Sequence, residues 1–233
     1  MNQKKRDARV AGLWYLAMAL CGPFGIVYVP SQIWAPADAT TTLANLQAHE
    51  MLLRLGVASN LLCQVIFVFL VLALCRLFLG VSAVHEKLMK SLVIAAVPIA
   101  MLNELWQLGA LRVAQSALTP DQQREWVDVF FRLHDDGIAV ASIFWGLWLF
   151  PFGILALRSG FIPKLLGVLL IVGCFSYLID SSLALLLPAA RVALTDYLML
   201  PLAAGELAMV LWLLIKGVRD ETRPLAPVLG GHP

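Results

Sequence analysis

Blocks of about twenty apolar residues recur along the whole chain, divided only by short polar breaks. As a helix, a block of that length spans the roughly 30 Å hydrocarbon layer of a bilayer. Of the 233 residues, 61% are hydrophobic and 14% charged, with a mean hydropathy of +0.83. Soluble domains sit near half and a quarter. The chain therefore reads as an integral membrane protein with lipids as its surroundings. A net charge of +2 gives no reason to expect a nucleic-acid partner. Cys21, Cys63, Cys75 and Cys174 lie in apolar runs without a C-x-x-C, and read as small buried hydrophobes.

The pattern predicts an all-α fold, a six-transmembrane-helix bundle forming one domain over 1–217. Spans are expected near 10–29, 56–79, 91–113, 137–157, 165–187 and 198–216, with 218–233 as a disordered cytoplasmic tail. The breaks are VPSQIWAPADA, HEKLMK, LTPDQQREW, RSGFIPK and LPAARVALTD. Short surface helices are expected on the outer side, at 38–54 and at 120–134, where Pro120 opens the helix. If the N-terminus is cytoplasmic, the inner side holds twelve of the Lys and Arg residues. The outer side then holds five: Arg54, Arg112, Arg124, Arg132 and Arg191. The positive-inside rule then puts both termini in the cytoplasm.

Polar residues interrupt the spans at related depths. Glu104 lies ~21 Å along an ideal helix from Lys90, Asp180 ~24 Å from Lys164, and Glu206 ~15 Å from Lys216. Asn60 and Gln64 lie ~24 and ~18 Å from Arg76. Asn103, Glu104 and Gln107 share one helix face. A carboxylate facing lipid costs several kcal/mol, so these faces are expected to turn inward around an outward-open polar cavity. The candidate intramembrane site is Asn60, Gln64, Asn103, Glu104, Gln107, Asp180 and Glu206. His134, Asp135 and Asp136 are expected at its outer mouth.

Three functions fit that arrangement: binding or transport of a small solute or proton; a structural, sensory or assembly role in which the polar layer only joins helices; and lipid chemistry at the outer leaflet with His134 or Asp135 as base. No residue is assigned as catalytic. There is no H-E-x-x-H, no zinc spacing and no Gly-rich phosphate loop, so neither a metal nor another cofactor is expected. Oligomeric state is not legible. Two short echoes, PFGI at 23–26 and 151–154 and Glu-Leu at 104–105 and 206–207, hint at inverted halves of the kind transporters use.

RDARVAGLWYL, GPFGIVYVPS, LLRLGVASN, VPIAMLNEL, IFWGLWLFPFGILALRSGFIPKLLG and GELAMVLWLLIKGV resemble a bacterial family of multi-pass membrane proteins, domain of unknown function 4386. The resemblance covers nearly the whole chain. It implies about six helices in the bacterial cytoplasmic membrane and brings no substrate, cofactor or site residue.

Overall fold

The computed structural model describes residues 3–218, apart from the side chains of residues 195, 196, 199, 201 and 202. The tail expected at 218–233 lies outside them from residue 219 onward. Among the described residues there is no strand. The helices are α1 (Gln3–Pro23), α2 (Val29–Ile33), α3 (Ala39–Ala48), α4 (Glu50–Leu77), α5 (Ala83–Ala114), α6 (Pro120–Leu147), α7 (Leu149–Ser159), α8 (Lys164–Leu186) and α9 (Pro188–Ile215). A π-helical turn at Phe24–Tyr28 joins α1 to α2. Among the described residues, five segments are long and apolar enough to cross a membrane: Gln3–Ile33, Glu50–Leu77, Ala83–Ala114, Pro120–Ser159 and Lys164–Leu186. Within α9, Ala203–Ile215 is a shorter apolar helix. Leu13, Leu20, Leu102, Leu165 and Leu207 stand exposed on the outside of the bundle. Such an apolar exterior suits lipid and not water.

Local chemistry sets the helix ends. Asp38 caps α3 by accepting from the N–H groups of Thr40 and Thr41. The bond from the Thr41 hydroxyl, with those two, holds its carboxyl below the usual range. Thr119 and Gln122 form a capping box at the start of α6. Gly160 ends α7 with φ 73°, a left-handed position that favours glycine.

Several boundaries differ from expectation, and HEKLMK, expected as a break, lies inside α5. The segment 120–134 is not a separate surface helix: it runs unbroken into the following span through Asp135 and Asp136. The segment 38–54 divides at His49, leaving α3 as the surface helix while Glu50 onward belongs to α4. LPAARVALTD is not a loop, since Pro188 opens α9 with only Leu187 between it and α8. Proline lacks an N–H, which the first turn of a helix does not need.

The bundle has a basic end and a capped end. At the basic end Lys4 sits 5.4 Å over the Phe161 ring, and Phe78 stacks on Phe161 at 5.8 Å. At the opposite end α3 lies across the bundle, with Gln47 donating to the Ala114 carbonyl and Arg132 to that of Pro36.

Two apolar clusters divide the interior. The larger, toward the basic end, packs Tyr15, Phe67, Leu70, Phe78, Met89, Trp148 and Phe152. The smaller, beneath α3, packs Ile33, Leu46, Leu53, Leu111, Val127 and Phe131, with Trp34 stacked on Phe131. Three helices pass from one to the other through polar residues. In α4 the order from the cap is Leu53, then Asn60 and Gln64, then Phe67 and Leu70. In α5 it is Leu111, then Gln107, Glu104 and Asn103, then Ala96 and Val93. In α6, Val127 and Phe131 precede His134, and Trp148 follows at the helix end.

Glycines bring the backbones of α7 and α8 together. A Cβ on Gly153 would lie 2.7 Å from the Gly167 carbonyl oxygen, and one on Gly167 2.8 Å from that of Gly153. Neither backbone can yield without separating the helices. Gly167→Ala is expected to cost about 1–3 kcal/mol and to lower the melting temperature by several degrees. At Gly22 the nearest atom to a new Cβ is the Cys63 sulfur at 3.7 Å, so Gly22→Ala should melt like the parent. Thermal unfolding in detergent measures both.

Candidate functional site

The polar layer between the clusters is built from α4, α5 and α6. Asn60 donates its amide to Glu104 Oε1 at 3.0 Å. His134 Nε2 lies 3.5 Å from that same oxygen and 3.0 Å from the Gln107 amide nitrogen. Asn103 donates to the His134 backbone carbonyl at 3.0 Å. Each of these side chains is at least nine-tenths buried, as is Gln64 one turn from Asn60.

Glycines make room for the two asparagines. A Cβ on Gly25, in the π-helical turn, would fall 2.0 Å from Asn60 Oδ1, and one on Gly137 would fall 1.7 Å from Asn103 Oδ1. Ser59 serves the broken first helix by donating to the Cys21 carbonyl at 3.0 Å. Pro23 and Pro30 lack the N–H groups that a regular helix would use there, and π-helical turns often occur at functional sites.

The side-chain atoms left without a partner in this layer are all oxygens. Asn60 Oδ1, Gln64 Oε1, Asn103 Oδ1, Glu104 Oε2 and Gln107 Oε1 are buried and find no hydrogen-bond partner among the described residues. An unmet buried acceptor costs about 1–3 kcal/mol. The imidazole sets two states. A bare His134 Nε2 accepts from the Gln107 amide N–H. A protonated Nε2 donates to Glu104 instead, and Gln107 then faces it best through its oxygen, half a turn of the amide away. The group can thus hold a proton between a carboxylate and an imidazole, with Gln107 changing from donor to acceptor.

The other expected residues form different groups. Asp180 takes a two-pronged contact from Arg191, Nε to Oδ1 at 3.1 Å and Nη2 to Oδ2 at 3.0 Å. Arg191 Nη1 also lies 3.8 Å from Asp135 Oδ2. Tyr15 donates to Glu206 Oε2 at 2.6 Å, and Tyr177 also hydrogen-bonds that carboxyl. The three acids therefore have three sets of partners and not a common one.

His134 corrects the expected outer mouth. It is buried and belongs to the Glu104 group, whereas Asp135 is partly exposed and Asp136 exposed. Three residues on, close to one helical turn, His134 follows Phe131 on the inward face, while Asp136 is rotated away. An outer-leaflet base at His134 loses its access by the same geometry. A surface groove of about 510 Å³ between α5 and α6 has apolar walls including Leu102, Trp106, Phe130 and Val140. Asn103 is the one expected site residue lining it.

Sequence reasoning missed the role of Arg191, because LPAARVALTD read as a break between spans. Pro188 three residues earlier was the available signal for a helix start. Tyr15 was hidden in an apolar run. Its signal is general: a buried tyrosine hydroxyl seeks a partner.

No solved structure matches this chain. An uncharacterized protein of Archaeoglobus fulgidus is 30% identical over 92 residues, 37% of this chain. The chain spans about half of that relative's length, 53%. The model of one family matches residues 10–217. On that match the chain belongs to the family described as Domain of unknown function (DUF4386).

Proposed function

We propose that this protein binds a small polar solute or a proton within the membrane, at the Glu104–His134 pair. The observation that carries this reading is a buried carboxyl and imidazole sharing a layer with five unmet acceptor oxygens. A layer serving only to join helices would gain nothing from unmet acceptors. A proton, a cation or a solute with N–H or O–H groups supplies what they lack. In this reading Asn60, Gln64, Asn103 and Gln107 orient the bound species. Asp180 and Glu206 brace the helices around it.

Six crossings fit this reading, with α9 as the sixth, in a bacterial cytoplasmic membrane with both termini inside. The support is the distribution of Lys and Arg and the gathering of the basic helix ends on one side. Because α3 and the smaller cluster close the outer side, solute entry requires that cap to part.

The reading is tested in vesicles holding the full chain and a pH-sensitive dye. Parent protein should dissipate an imposed pH gradient. Glu104→Gln and His134→Gln should bring the rate to that of empty vesicles, with melting temperatures within about 3 °C of the parent. A parent rate equal to that of empty vesicles leaves proton passage out. Unchanged rates in both variants remove the pair from the function.

A structural role has its own support in the direct Asn60–Glu104 bond, which ties α4 to α5 without an intermediary. Under that reading Asn60→Leu lowers the melting temperature by about 2–4 °C for each kcal/mol lost. Glu104→Gln, which can still accept from Asn60, leaves both stability and gradient unaffected. Melting curves and vesicle rates together separate the two.

A further inference from the structure

We propose that the α1–α4 seam holds an anionic phospholipid, its phosphate between Arg6 and Arg76 at the basic end. A groove of about 240 Å³ opens there, lined by Arg6, Asp7, Val10, Ala73 and Arg76. Two guanidinium groups from different helices face one opening. Neither Arg6 nor Arg76 has an ion-pair or hydrogen-bond partner among the described residues. Arginine suits phosphate because its planar donors meet two oxygens at once.

The surface below the arginines has the shape of the rest of a lipid. On α1, Arg6 is followed on the same face by Val10 and Leu13, 41% and 60% exposed. On α4, Arg76 is preceded at matching intervals by Leu72 and Phe69, 42% and 47% exposed. Trp14 stacks on Phe69 at 5.1 Å and closes the seam between the helices. A phosphate seated at the arginines thus has acyl chains running over apolar side chains one and two turns further into the bundle. A free anion gains nothing from that lower part, and the apolar seam therefore favours a lipid.

Asp7 also lines the groove, with Oδ1 taking the Gln3 amide at 3.0 Å. Its charge opposes a phosphate. The proposal therefore requires that removing this carboxylate strengthen binding, an outcome a diffuse basic surface does not single out. The site lies at the other end of the bundle from the α3 cap and does not depend on the Glu104–His134 reading.

The test uses the full chain in detergent, titrated with phosphatidylglycerol or phosphatidylcholine and followed by intact-complex mass spectrometry. Phosphatidylglycerol should bind more tightly than phosphatidylcholine. Arg6→Gln and Arg76→Gln should each weaken it about fivefold, the effect of about 1 kcal/mol per basic residue near a lipid surface. Asp7→Asn should tighten it. Arg158→Gln, exposed on α7 outside the groove, should bind like the parent. Millimolar inorganic phosphate that displaces the lipid would overturn the proposal in favour of a simple anion site. Equal binding of the two lipids, or a loss in Arg158→Gln as large as in Arg6→Gln, would also overturn it.

Discussion

A carboxyl group held between two apolar layers governs how the first four long segments meet. Glu104 cannot face hydrocarbon without a cost of several kcal/mol, so α5 must turn it inward. There Asn60 reaches it from α4 and His134 approaches it from α6. Each contact restricts another helix in turn. Asn60 fits only because α1 presents Gly25 to it, and Asn103 only because α6 presents Gly137. One buried acid thus fixes neighbours on three other segments. A slip of one residue between them would leave an amide buried against a side chain in place of a glycine.

The interruptions of the long helices belong to the same problem. Both PFGI segments occur where a membrane segment departs from a regular helix. The first enters the π-helical turn at Phe24–Tyr28, and the second follows the division between α6 and α7 at Trp148. Proline removes one hydrogen bond from each helix, and the glycine two residues later allows another helix to approach. The consequences differ. Gly25 meets a polar side chain, whereas Gly153 meets the backbone at Gly167. The repeated motif therefore marks two kinds of close packing, one polar and one apolar. That difference gives no support to equivalent binding sites in the two halves.

Much of the fold was legible because length and hydropathy depend on the chain alone. The helix Lys164–Leu186 begins and ends within a residue of the bounds expected for a fifth apolar segment. The inward turn of Asn103, Glu104 and Gln107 followed from helical periodicity and a solvation cost, and all three are buried. What failed was information that only neighbouring helices hold. His134, Asp135 and Asp136 are adjacent in sequence, yet 100° per residue sends them to the interior, the Arg191 side and the surface. Arg191 could not be paired with Asp180 while the stretch that holds it read as a break between spans. Depth estimates placed Glu104, Asp180 and Glu206 in related layers, but depth carries no rotation about the bundle axis. Their partners come from different helices for that reason.

The separation of the acids bears on how the layer could work. Asp180 already has a guanidinium in two-pronged contact, and Glu206 has two phenolic hydroxyls. Both carboxyls are met by groups whose chemistry suits them, and such contacts favour one fixed geometry. Glu104 differs. One oxygen is shared between an amide and a distant imidazole nitrogen, and the other has no donor among the described residues. A side chain whose partners are incomplete has more to gain from a bound species than one whose partners are complete. The physical distinction among three similar residues therefore lies in the balance of donors and acceptors around each. On that balance the proposed binding role rests on Glu104 with His134, and not on the two acids that are already partnered.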